Sequence, residues 1–195
     1  MASNLKGTMI AILATDGFEQ AELMEPRKAL EAAGAQTEVI SPNSVQGSTG
    51  ETKGKIKGWN HTDWGESVKV DKTLQHANPD DYDALVLPGG VMNPDHLRMD
   101  PKAVEFVRHF VSAGKTIAAI CHGPWTLLET GALKGKTVTS WPSLKTDLKN
   151  AGAHWVDKEV VTDGQFITSR KPDDLPAFNR AIIEAVQHAR QPVGV

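Results

Sequence analysis

Residues 116–124, TIAAICHGP, leave few folds open to this chain. Ile117, Ala118, Ala119 and Ile120 form a short, unbroken apolar run. That pattern belongs to a strand covered on both faces in a parallel sheet. The run breaks at Cys121-His122-Gly123-Pro124 and passes into WTLLETGAL, which reads as a short helix. Pro124 suits the first helical turn, where its missing N–H costs nothing, and Gly123 allows a tight approach. A strand, a turn bearing a nucleophilic residue and a helix make the geometry of a nucleophile elbow. Unsatisfied amides and the dipole at a helix start favour a thiolate, so Cys121 is expected to have a lowered pKa. Cys121 is the only cysteine of the chain. A lone cysteine closing a core strand equally suits a small buried hydrophobe, and the pattern alone leaves both readings open.

The same strand-and-helix rhythm runs through most of the sequence. MIAILA at 9–14 reads as the first parallel strand and ends in the turn signal Thr15-Asp16-Gly17. Apolar residues at helical spacing from Glu19 to Ala33 predict a helix that Gly34 closes, with Pro26 expected to kink or restart it. Residues 36–40 read as the second strand. Residues 41–70, rich in Gly, Lys, Thr and Ser but carrying Trp59 and Trp64, read as a surface excursion with one or two β-ribbon strands. Buried strands follow at 84–87 and 116–120, with a helix at 101–113 between them. A strand at 136–139, a helix at 142–151, a hairpin around Asp163-Gly164 and a helix at 172–189 complete the chain. Alternating strands and helices predict an α/β fold, a doubly wound parallel sheet sandwiched by helices, with the β-ribbon as a small addition.

Ligands in such folds sit at the carboxyl ends of the strands, so the turns after residues 14, 87 and 120 should gather. That brings together Glu19, the Gly89-Gly90 turn and Cys121. Glu19 reads either as a carboxyl whose proton can serve the sulfur or as an acid stabilising its helix start. Bare amides near Gly90 suit an oxyanion hole, although Gly-Gly after a strand is also an ordinary turn. His61-x-Asp63 supplies two metal-ligand types without a third and reads as surface.

Size and charge bound the rest. A chain of 195 residues suits one well-packed domain spanning 1–195. A formal charge of −3 gives no footprint for nucleic acid. No apolar run reaches membrane-spanning length and the N-terminus lacks a secretory apolar core, so a cytoplasmic protein is expected. Nothing in the pattern asks for a cofactor or a metal.

Several ordered stretches make this sequence resemble the PfpI family of the ThiJ/PfpI superfamily. They are Gly17-Phe18-Glu19, 83–90 (DALVLPGG), 119–124 (AICHGP), Thr139-Ser140-Trp141-Pro142, Asn150-Ala151-Gly152 and Thr168-Ser169-Arg170. The resemblance implies a flavodoxin-like sandwich related to class I glutamine amidotransferase domains. It implies Cys121 as nucleophile, Glu19 as its carboxyl partner, His122 as general base, and the amides of Gly90 and His122 as oxyanion hole. It further implies a homodimer or larger assembly in which an acid of a second subunit meets the histidine. The matching residue is Asp95, which also reads as a helix cap. Three activities come with the resemblance: a deglycase or glyoxalase type of hydrolase acting on small carbonyls or glycation adducts, an intracellular cysteine protease, and an oxidant-sensing stress protein. Carbonyl chemistry needs the fewest groups and ranks first.

Overall fold

The computed structural model describes residues 4–42 and 54–189. In chain order the strands are β1 (Met9–Leu13), β2 (Phe18–Glu19), β3 (Gln36–Ser41), β4 (Lys55–Asn60), β5 (Asp63–Lys69) and β6 (Lys72–Thr73). They continue with β7 (Ala84–Leu87), β8 (Thr116–Ile120), β9 (Thr137–Val138), β10 (His154–Trp155), β11 (Val160–Asp163) and β12 (Phe166–Ser169). The helices are α1 (Gln20–Ala32), α2 (Met92–Met99), α3 (Pro101–Ser112), α4 (Pro124–Leu128), α5 (Lys145–Asn150) and α6 (Leu175–Ala189). Seven strands form the main sheet in the order β11-β12-β8-β7-β1-β3-β6, parallel throughout except for the edge pair β11–β12.

The expected α/β sandwich is present, and the apolar alternation explains its two layers. Ile10 and Ile12 of β1 face one side with Val86, Ala118 and Ile120, where α1 and α6 cover them through Leu23, Leu30, Phe178, Ile182 and Val186. Ala11 and Leu13 face the other side with Leu85, Leu87, Ile117 and Ala119, against Phe106, Val107, Phe110 and Leu127 of α3 and α4. Each fully buried Phe or Leu of this kind contributes roughly 1.5–3 kcal/mol.

Several expected elements differ in detail. α1 runs unbroken through Pro26, which is buried in it. The segment 88–100 holds a further helix, α2. Short 3-10 turns, Pro142–Leu144 and Pro172–Asp174, precede α5 and α6, and β9 pairs with β10 in a separate two-stranded sheet. The excursion forms the antiparallel ribbon β4–β5, which adds to β2 as a three-stranded sheet. Its residues 43–53 lie outside the described residues. Asp16 accepts from the Lys57 amide (2.6 Å) and Gly17 donates to the Lys57 carbonyl (2.8 Å), so the ribbon is pinned to the turn after β1. Among the described residues no helix is long and apolar enough to cross a membrane.

Candidate active site

The turns after β1, β7 and β8 meet at one end of the sheet, around Cys121. Cys121 and His61 are the non-glycine residues with positive φ among those described, and Cys121 has φ +61°. A residue with a β-carbon is uncommon there, and such strain collects at functional turns. Pro124 opens α4 as expected, although α4 is only five residues long. The Cys121 amide donates to the Ser169 carbonyl (3.1 Å), and its carbonyl accepts from Trp141 (3.0 Å). Sulfur is therefore held at the floor of a cavity of about 560 Å³ whose walls include Trp59, His61, Trp141 and Lys171.

The carboxyl that meets the thiol is not the expected one. Glu22, with no exposed surface, sits on the inward face of α1, and its charge acts directly on Cys121. Its Oε2 accepts from the Gly89 amide (2.9 Å), while Oε1 has no hydrogen-bond partner among the described residues. Burial pushes Glu22 up to about 8, against the pull of the Gly89 amide. Glu19 stands at the start of α1 without capping it and lines the same cavity. Burial raises its pKa too, partly offset by the His61 amide and charge. Glu19 thus neither partners the sulfur nor caps the helix. Residues Gly17 to Glu22 hold two inward-reaching acids three positions apart, and helix phase decides between them. Glu22 shares the buried stripe of α1 with Leu23, Pro26 and Leu30, whereas Glu19 precedes the first turn.

The amides of Gly90 and His122 converge on the sulfur and favour its anion. The Gly89-Gly90 turn must be glycine. A β-carbon on Gly89 would lie 2.6 Å from the Cys121 β-carbon and 2.5 Å from the Glu22 carboxyl, and Gly90 has φ +78°. Asn93 fixes this turn and was not anticipated. Fully buried, it donates to the Pro88 and Gly89 carbonyls (2.9 and 3.1 Å) and accepts from the Thr15 amide (2.8 Å). Asn93→Ala strands the Pro88 carbonyl and the Thr15 amide, while the Gly89 carbonyl keeps the Glu19 amide (3.2 Å), and should cost about 2–4 kcal/mol in urea unfolding, with turnover falling alongside. A change below about 0.5 kcal/mol would show that the turn holds itself.

The thiol's own pKa departs from the expectation drawn from the helix start. Burial and the Glu22 carboxylate push it up, and the two amides oppose them. His122 is buried and held down to about 4, so its ring is neutral near pH 7. Its Nδ1 lies 3.2 Å from Cys121 Sγ, and its Nε2 lies 3.3 Å from Ser143 Oγ. Asp95 is exposed in the first turn of α2, which has no side-chain cap, and it is not among the cavity's lining residues. Among the described residues no three His, Cys, Asp or Glu side chains gather to hold a metal.

With this geometry in view, the chain can be set beside known proteins. The family model described as DJ-1/PfpI family matches residues 8–185. A Bacillus subtilis (strain 168) protein provisionally named cysteine protease YraA is 44% identical over 171 residues, covering 88% of this chain and 94% of that protein. An uncharacterized Staphylococcus aureus (strain Mu50) protein, SAV1875, is 43% identical over 180 residues, covering 91% and 98%. Among solved structures, Drosophila melanogaster DJ-1beta superposes with a TM-score of 0.79 at 30% identity over 93% of this chain and 95% of that one. An Anabaena variabilis protein with DJ-1/ThiJ/PfpI-like and ferritin-like domains gives 0.82 at 35% identity, covering 94% of this chain and 49% of that one.

Proposed function

We propose that this chain, which belongs to the DJ-1/PfpI family, is a cysteine-dependent hydrolase whose Cys121 thiolate attacks small carbonyls and glycation adducts. The supporting observation is the grouping of a left-handed Cys121, two convergent amides and the buried Glu22 carboxyl at the floor of one cavity. Glu22 and Cys121 are too close to carry two negative charges, so below about pH 8 the pair carries at most one. Near pH 7 the resting pair is neutral, and in the attack sulfur takes the charge, stabilised by the Gly90 and His122 amides and a protonated Glu22. Protonating Glu22 also removes the repulsion that adds to burial in raising the thiol.

On a 2-oxoaldehyde, the carbon–sulfur bond forms as the carbonyl electron pair moves to oxygen, which takes the Glu22 proton. Transfer of hydrogen from the first carbon to the second turns the hemithioacetal into a thioester. Water then cleaves it, releasing a 2-hydroxy acid and the free thiol. Glu22, poised near 8, suits proton transfer at neutral pH.

A peptidase reading draws on the name of the Bacillus subtilis relative and on the His122–Cys121 contact. It would ask His122 to store a proton and deliver it to a leaving amine. At about 4, protonating that ring near pH 7 costs on the order of 4 kcal/mol. Carbonyl chemistry avoids that step and is the preferred reading. Methylglyoxal, a glycated amino acid and an unstructured protein, each incubated with the wild type and with Cys121→Ser, separate the readings. Turnover of the first two that vanishes in Cys121→Ser is expected. Cleavage of the protein alone would replace this reading with the peptidase, and no thiol-dependent turnover of any would remove both.

A further inference from the structure

The imidazole that the resemblance gives to an acid of a second subunit already has a partner in its own chain. Ser143 Oγ stands 3.3 Å from Nε2, while Nδ1 faces the sulfur at 3.2 Å. The ring is clamped from both sides, stacked on Trp141 (centroids 6.1 Å apart, planes 26° apart) and edge-on to Trp125 (5.2 Å). The segment carrying Ser143 is anchored independently of it. The Trp141 amide donates to the Cys121 carbonyl, the Thr139 amide donates to Thr168 Oγ1 (2.9 Å), and Leu144 is buried in the core. Ser143 itself is exposed. Sulfur, imidazole and hydroxyl therefore form a continuous line from a nearly buried thiol, 7% exposed, to solvent.

We infer that Ser143 is a positioning residue that sets the tautomer of His122 and completes a proton route between Cys121 and water. While the thiol donates to Nδ1, the hydroxyl accepts from Nε2–H and favours that tautomer; once sulfur is an anion, the same hydroxyl donates to Nε2 and favours the other. When the thiol is intact, S–H donates to Nδ1 and Nε2–H donates to Ser143. In forming the thiolate, the sulfur proton passes to Nδ1, the Nε2 proton passes to Ser143 Oγ, and the serine's own proton leaves to bulk water. Sulfur ends with the negative charge, and the ring ends neutral in its other tautomer, with Nδ1–H facing the anion. A ring that resists becoming imidazolium can pass a proton in this way without holding one. Glu22 then keeps its own proton for the substrate oxygen.

This inference rests on Cys121 as the nucleophile, so its test has one readout that does not depend on turnover. Protein labelled with 15N-histidine gives two-bond proton–nitrogen spectra that report which His122 nitrogen carries the proton. At pH 7 the wild type should show one tautomer, Ser143→Ala a mixture, and Ser143→Thr one tautomer again. With methylglyoxal, kcat of Ser143→Ala should fall about tenfold to a hundredfold, the range typical of a group that orients a histidine through its second nitrogen. KM should stay within about twofold, and Ser143→Thr should recover kcat. A single unchanged tautomer in Ser143→Ala overturns the inference, as does failure of Ser143→Thr to restore it with an unaltered melting curve. The expected spectra in a wild type that turns over no carbonyl would support the proton route and overturn the proposed function.

Discussion

Glu22→Gln should lower kcat on methylglyoxal roughly a hundredfold to ten-thousandfold, while Glu19→Gln should cost less than tenfold. Glutamine keeps a hydrogen-bond donor beside Cys121 and retains the shape of the pocket, but it has no proton to give to the substrate oxygen. The lost factor is therefore the one general acid–base catalysis supplies. Glu19 lines the same cavity but touches the His61 amide rather than the sulfur. Changing it alters a wall and leaves the reacting pair intact. Steady-state kinetics of both variants, with circular dichroism showing that each is folded, check the result. Equal losses, or a larger one at Glu19, would return the proton-carrying role to Glu19.

The second large effect concerns stability against pH. Burial raises Glu22 from its ordinary 4.5 to about 8, so between those values the folded chain holds a proton that the unfolded chain has lost. Its contribution is whole below pH 4.5 and gone above about 8, a span worth on the order of 4–5 kcal/mol. His122 works in the opposite direction. Held down from 6.5 to about 4, it stays neutral in the fold while the unfolded chain takes up a proton, so its contribution is lost as pH falls through that range. From pH 4.5 to 6.5 the two slopes oppose each other and nearly cancel. From 6.5 to 8 only Glu22 acts, and urea unfolding should show a drop of about 2 kcal/mol. Glu22→Gln should lose that drop and instead show stability rising from pH 4 to 6.5. A wild-type curve that stays level from 6.5 to 8 would show that Glu22 is ionised in the fold.

Much of this was legible in the sequence because both layers of the core are written as period. The apolar run before Cys121, the Gly-Gly after β7 and the strand–helix alternation each follow from local pattern. They located the elbow, the sheet and the convergence of three turns. Glu22 escaped because phase matters within a helix. The apolar residues of 19–33 fit several stripes, and the buried stripe at 22, 23, 26 and 30 includes an acid and a proline that hydrophobic counting sets aside. A charged residue in phase with buried neighbours was the available signal. Asn93 escaped for a similar reason, since a short polar side chain before Pro94 reads as a turn until its bonds to three backbone groups are seen. The thiol's pKa was misjudged because a helix start is a local feature, whereas burial and the Glu22 charge arise only after folding. Ser143 follows the Thr139–Pro142 motif by one residue, and only the tertiary fold carries it back to His122.

The left-handed backbone at Cys121 has a consequence for descent. A side chain in that conformation strains the turn by roughly 1–2 kcal/mol, and a glycine would not. Relief of that strain alone therefore pulls position 121 toward glycine, against the packing of its side chain among buried neighbours, and selection for reactivity holds the thiol itself. A duplicated copy released from its chemistry should shed the thiol early and keep every strand of the sheet. In any lineage carrying this fold, the residue at the elbow thus records whether the reaction is still in use.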